Sequence, residues 1–525
     1  MPKIVSAHDA ICKIPNGAVV AVNSSSGLNC PDAVLEAMGK RFDADNAPRD
    51  LTMLHPIAAG DMFGIKGIGH IAKQGQIAKI IAGSYPSGPS TSEAPMIWQM
   101  ITGNHIPAYN VPSGILFDLM REAAAKRPGV ITKVGIDTFV DPDHDGCSMN
   151  ALAKAQSIVR KIKFEGDEWL YFPSIIPQVS IIRGSTCDAR GNMTFEQEGA
   201  YLGAMELALA AHNNGGIVIA QVRKIVANDT IKPHQVRVPG ILVDYIVEAP
   251  DQWQTTQTAY DPAISGEEMR PLDSFALMEF GTGKTIARRV AMELKHGWAV
   301  NLGFGVSANV PRIFIEEGLH GQATWVIEQG AVGGVPLLEF QFGCSSNAEA
   351  FVPSAYQFTY FQAAGFDCAL LSFLQIDRHG SINVSKLGAR PHVTAGAGGF
   401  VDITTRAKKI VFSGFFNAGA KMEIVDGKLR IDKEGKVKKL VNDVEQISFS
   451  GQRGVQQGQD VTYVTERCVM KLTPEGVAVT EIAPGVELQS NILDQSEFPL
   501  LVSPHLKMMQ AELFWPPKMG LKLHV

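Results

Sequence analysis

Aliphatic and β-branched runs a few residues long recur along this chain, set off by glycine and interleaved with stretches of helical spacing. Gly215 and Gly216 lead into Ile217, Val218 and Ile219; Gly129 leads into Val130 and Ile131. A strand covered on both faces reads as an unbroken apolar run, whereas a helix laid on a sheet repeats its apolar positions every three to four residues. Ile286, Val290 and Leu294 have the helical spacing, and Gly297 is expected to end that helix. The alternation predicts an α/β fold of open, mostly parallel sheets flanked by helices. In such sheets the ligand crevice lies beyond the carboxyl ends of the strands, where glycine lets backbone approach a ligand.

A weak internal repeat divides the chain. Residues 17–38 (GAVVAVNSSSGLNCPDAVLEAM) and 297–318 (GWAVNLGFGVSANVPRIFIEEG) both run from glycine through a strand, a Gly/Ser loop and a proline into a helix. A second echo pairs 180–193 with 369–382, each an apolar strand followed by Asp-x-x-Gly, at Asp188 to Gly191 and Asp377 to Gly380. The two echoes keep their order, which predicts two tandem, similar open α/β domains. Their expected bounds are 1–250 and 276–525, joined by a polar, aperiodic linker at 251–275 that includes Pro262. A chain of 525 residues is too long for one ordinary core, so two domains also suit its length.

Composition narrows the function. Apolar residues make up 45% and charged residues 19%, as in an ordinary globular protein. A net charge of -6 gives no basic face for nucleic acid. No apolar stretch approaches the 18 or so residues of a membrane span, and residues 1–15 have no signal-like apolar core. Seven cysteines without a C-x-x-C pair do not suggest a disulfide framework, so a cytoplasmic location is expected.

Several motifs fail on inspection. GTGKT at 281–285 resembles the end of a phosphate loop, but Met278 stands where glycine is required. DPDHDG at 141–146 opens like a calcium loop, yet its twelfth position is Leu152 rather than glutamate. The thirteen histidines include no H-E-x-x-H, so no metal is expected. Cys344 and Cys368 sit among apolar residues, as inert core thiols do.

The segment that remains is 323–336. An apolar strand at 323–327 ends at a lone carboxylate, Glu328, and a loop with Gly330, Gly333 and Gly334 follows. Read alone, a glutamate at a strand end is more commonly a solvated or salt-bridged rim residue. Two further glycine loops change the weight: Gly303 and Gly305 between a strand and a helix, and GAGG at 396–399, followed by Asp402. Three such loops at strand ends of one domain would converge on one crevice, where backbone N–H groups suit a phosphate or a developing oxyanion. A carboxylate aimed into that crevice is a candidate covalent nucleophile.

Together these stretches resemble the family I CoA-transferases, and among them the acetate/propionate type in which both halves share one polypeptide. The matching motifs are EQGAVGG at 328–334, NLGFGVSANVP at 301–311 and GAGGFVD at 396–402. VPGILVDYIV at 238–247, FVDP at 139–142, YVTER at 463–467 and IAPGV at 482–486 extend the resemblance over most of the chain. It implies that Glu328 carries CoA as a glutamyl thioester. It further implies that the Gly398 N–H helps form an oxyanion hole and that Gln99 supplies a side-chain amide to the same hole. Gly303, Phe304, Gly305, Val306 and Ser307, with Gly396 and Ala397, are then expected to contact CoA. The implied substrates are short-chain acyl-CoA and free carboxylates, with no permanent cofactor, no nucleic-acid or membrane partner, and a homo-oligomer, tetramer or dimer. Two departures from the family stand out: the N-terminal loop is Ser24, Ser25, Ser26 and Gly27, and Gln329 follows Glu328. The alternatives are an acyl-CoA hydrolase of the same fold and a sugar-phosphate isomerase or binding protein.

Overall fold

The computed structural model describes residues 1–61, 63–64, 66–87, 93–388 and 390–524. Two large sheets organise them. The first holds β1 (Lys3–Ile4), β2 (Val19–Val22), β3 (Leu51–His55), β4 (Ile77–Ala82), β5 (Ala108–Asn110), β6 (Val179–Asp188), β7 (Ile217–Val226) and β8 (Tyr245–Glu248). They lie in the order β1-β8-β7-β6-β2-β3-β4-β5 with every pair parallel. The second sheet is mixed. Its strands are β9 (Ala299–Leu302), β10 (Thr324–Val326), β11 (Ala331–Val332), β12 (Ala350–Phe351), β13 (Cys368–Ser372), β14 (Lys409–Ser413), β15 (Asp460–Val464), β16 (Cys468–Thr473), β17 (Gly476–Ile482) and β18 (Leu501–Met508). Their order is β12-β11-β10-β9-β13-β14-β15-β16-β17-β18, with a parallel centre from β10 to β15. The expected α/β class is what the chain adopts.

Both echoes are real structural repeats. The first gives β2, a serine loop and the helix Asp32–Asp45 in one half, and β9, a glycine loop and the helix Val310–Glu317 in the other. The second gives two turns with the same hydrogen bonds. Asp188 accepts from the N–H groups of Arg190 and Asn192, and Asp377 from those of His379 and Ser381. In the order of each sheet the direction of winding reverses beside these repeats, between β6 and β2 and between β9 and β13. Crevices form beyond the strand ends at such reversals.

Other expectations meet the packing. Ile286, Val290 and Leu294 are buried, but the helix ends at Ala291 and Gly297 lies in the turn before the next strand instead of capping it. Lys284, in the phosphate-loop look-alike, pairs with Glu316, and Asp141, in the calcium-loop look-alike, pairs with Lys161. Segment 251–275 is closely packed: Ile264 is fully buried, and Gln341 of the second half donates to Thr258. Leu28, Ile57, Phe117 and Leu202 of the first half join the core of the second, where Phe117 stacks on Phe358. Among the described residues no helix is long and apolar enough to cross a membrane.

Candidate active site

Glu328 sits at the tip of the hairpin between β10 and β11. The turn closes through Gly330 N–H to the Ile327 carbonyl and Ile327 N–H to the Ala331 carbonyl, both at 2.9 Å. Gly330 has φ +115°, and a Cβ there would come within 1.9 Å of the Val352 carbonyl oxygen, so only glycine closes this turn. The chain thereby presents Glu328 to a cavity of about 360 Å³ between the halves. Ser25, Ser26 and Gly27 follow β2, Gly303 and Phe304 follow β9, and the 395–398 loop forms a third wall.

That third wall is bolted to the first half. Tyr85 N–H donates to the Ala395 carbonyl at 2.7 Å, Ala397 N–H to Asn110 Oδ1 at 2.8 Å, and Ser113 N–H to the Gly398 carbonyl at 2.9 Å. Asn110 Nδ2 also donates to the Gly83 carbonyl at 2.6 Å. Asp402 completes the joint. Its carboxyl accepts from Gly114 N–H at 3.0 Å, in the first turn of the helix α1 (Ser113–Ala124), and from Gln362 Nε2 at 3.0 Å.

Glu328 is held closely. The Gly399 backbone amide lies against its carboxylate, and Gln329 Nε2 lies 3.2 Å from Oε1. Gly399 leaves no room for a side chain, because a Cβ there would stand 2.4 Å from Glu328 Oε2. Burial pushes the Glu328 carboxyl up to about 7, and these two donors oppose the rise. Burial likewise pushes Asp402 up to about 8, with repulsion from Asp118 and Glu328 adding to it.

Several sequence expectations land elsewhere. Gln99 is exposed on the helix Met96–Thr102, its amide turned back to the Ala94 carbonyl at 2.8 Å, and it does not line the cavity. The Gly398 N–H, expected as an oxyanion donor, is already given to the Gly83 carbonyl at 2.8 Å; the amide that faces the carboxylate is the next one, Gly399. Gly303, Phe304, Gly396 and Ala397 line the cavity, whereas Gly305, Val306 and Ser307 do not. Sequence reasoning passed over Asn110, although an asparagine at a strand end, two residues before Pro112, was a visible signal of a loop-holding side chain. Among the described lining residues there is no lysine, arginine or histidine.

Comparison with known proteins agrees with this architecture. A family model described as coenzyme A transferase matches residues 4–249. The chain is 40% identical over 520 residues to the caffeate CoA-transferase of Acetobacterium woodii, covering 98% of each protein. It is 37% identical over 523 residues to the acetate CoA-transferase YdiF of Escherichia coli K12, covering 99% of this chain and 96% of that one. The crystal structure of the acyl-CoA transferase YdiF apoenzyme from Escherichia coli O157:H7 superposes with a TM-score of 0.93 at 36% identity, covering 100% of this chain and 98% of that one. The same relative has been solved as a thioester complex with CoA, with a TM-score of 0.91. Fold and matches together define a transferase. The chain belongs to the coenzyme A transferase family and carries both of its halves on one polypeptide.

Proposed function

We propose that this enzyme moves CoA between short-chain acyl-CoA and free monocarboxylates in a ping-pong reaction through a glutamyl-CoA thioester on Glu328. The observation that carries the reading is the Glu328 carboxylate itself, lining the cavity and held by Gly399 N–H and the Gln329 amide. The thioester complex of the YdiF relative with CoA supports the same chemistry.

The ionised Glu328 attacks the acyl carbonyl, a C–O bond forms, and the collapsing oxyanion expels CoA thiolate. The thiolate then attacks the glutamyl carbonyl of the mixed anhydride, forms a C–S bond and releases the first carboxylate. A second carboxylate reverses both steps. No general base is required, because every nucleophile is already an anion. A carboxylate with a pKa of about 7 is less hydrated and more nucleophilic than an exposed one, yet still about half ionised at pH 7. One preorganised donor to an oxyanion is worth about 3–4 kcal/mol, the scale of the contribution from Gly399 N–H.

Substrate class follows from the cavity wall. Ile57, Leu371, Val384 and Val393 offer apolar contact, and among the described lining residues no cation offsets a second carboxylate. Monocarboxylates such as acetate and propionate fit; dicarboxylates do not. Gly303, Phe304, Gly396 and Ala397 form the walls along which CoA lies. A cytoplasmic homo-oligomer completes the reading.

The test is intact-protein mass spectrometry after adding acyl-CoA without acceptor. The mass rises by one CoA minus water, and a carboxylate acceptor removes it. An unshifted mass sinks the covalent route, and thioester loss without any acceptor would identify a hydrolase instead.

A further inference from the structure

Gln329 is 2% exposed, yet it lines the reaction cavity. Its Nε2 uses both hydrogens, one toward Glu328 Oε1 at 3.2 Å and one toward Ser25 Oγ at 3.1 Å. Ser25 belongs to the serine loop of the other half, 304 residues away, so the amide is tied across the interface. Its own Oε1 is buried and meets no donor among the described residues. Buried amide oxygens are normally satisfied, so the side chain is held for its N–H end. Exchanging O and N would aim an oxygen at the Glu328 carboxylate, and the orientation is therefore fixed.

We propose that Gln329 is a second catalytic group: its amide, anchored by Ser25, stabilises the oxyanion that forms on Glu328 itself when CoA thiolate attacks the glutamyl carbonyl. In that step the C–S bond forms, the carbonyl π pair moves onto the glutamyl oxygen, and its return breaks the C–O bond to the departing carboxylate. Oxygen Oε1 already carries the Gln329 hydrogen bond in the resting carboxylate. As charge concentrates on that oxygen, a tethered N–H strengthens its bond without reorganising. The amide that sequence reasoning sought at Gln99 is thus supplied by the nucleophile's own neighbour. The inference rests on the glutamyl-CoA reading.

The experiment is a single-turnover half-reaction, following adduct formation on the wild type and on Gln329→Leu after mixing with acetyl-CoA. Wild-type enzyme that forms no adduct defeats the underlying reading. If the wild type forms it, Gln329→Leu is expected to form it about 100-fold more slowly with KM for acetyl-CoA changed less than threefold. The acid limb of its pH profile is also expected to move upward, since the carboxylate loses a donor. A purely structural role would leave that limb in place. Ser25→Ala, which unties the amide without replacing it, is the second variant and should slow adduct formation about three- to tenfold. It decides the matter if Gln329→Leu does not fold. Adduct formation at the wild-type rate in every folded variant overturns the proposal.

Discussion

Glu328 and Asp402 are two desolvated carboxyls set among similar neighbours. Glu328 has Gly399 N–H and the Gln329 amide; Asp402 has Gly114 N–H and the Gln362 amide. Burial raises both, to about 7 and about 8. Even the helix N-terminus at Asp402, which offers a negative charge about 1 kcal/mol, does not reverse the effect. What separates them is access. Glu328 faces the cavity, whereas Asp402 is 0% exposed inside the joint between the halves. A perturbed pKa marks both as unusual, but only an approach path makes a nucleophile.

Five measurements break or sharpen this contrast. Glu328→Ala should cut transfer by more than about 1,000-fold and abolish the CoA adduct while circular dichroism stays unchanged; appreciable turnover would equate the two carboxyls. Gly399→Ala places a Cβ 2.4 Å from Glu328 Oε2 and should lower kcat about 100-fold, with overpacking costing about 1–3 kcal/mol in thermal unfolding. The pH profile of kcat/KM should bend near pH 7, because protonation removes the nucleophile. Well below that point activity should fall about tenfold per pH unit, and a limb near pH 4.5 would place Glu328 in water. Asp402→Ala should leave Gly114 N–H without its acceptor and the Gln362 amide with only its 3.4 Å contact to Asp118, at about 1–3 kcal/mol for the orphaned N–H. Melting temperature and kcat should fall less in Asp402→Asn, which keeps one of the two accepting oxygens, and the adduct should persist in both. Gln99→Ala should leave kcat/KM within about twofold, since its amide turns back to the Ala94 carbonyl and Gln99 is not among the cavity's described lining residues.

Local signals read well in the sequence, and contacts between distant segments did not. The strand expected at 323–327 is Thr324–Val326, and the Asp-x-x-Gly turns match bond for bond, because period and turn chemistry are short-range properties. The helix from 282 stops at Ala291 although Leu294 keeps its buried face, since two turn residues carry the chain round without breaking the pattern. Glu328 and the GAGG loop were legible as candidates. Which glycine N–H faces the carboxylate was not: Gly398 or Gly399 is decided by the Gly83 carbonyl, more than 300 residues upstream. The pairing of Ser25 with Gln329 and of Asn110 with Ala397 likewise depends on how two halves dock, which no window of sequence contains.

The grip of Asn110 on Ala397 has a consequence for the enzyme's birth. The gripping side chain leaves the ribosome 287 residues ahead of the loop it holds. At about 5–20 residues per second, that is a wait of roughly 15–60 seconds. Throughout it the nascent polypeptide owns a scaffold with nothing mounted on it, and chemistry starts only when the late-made part clicks into the early-made one.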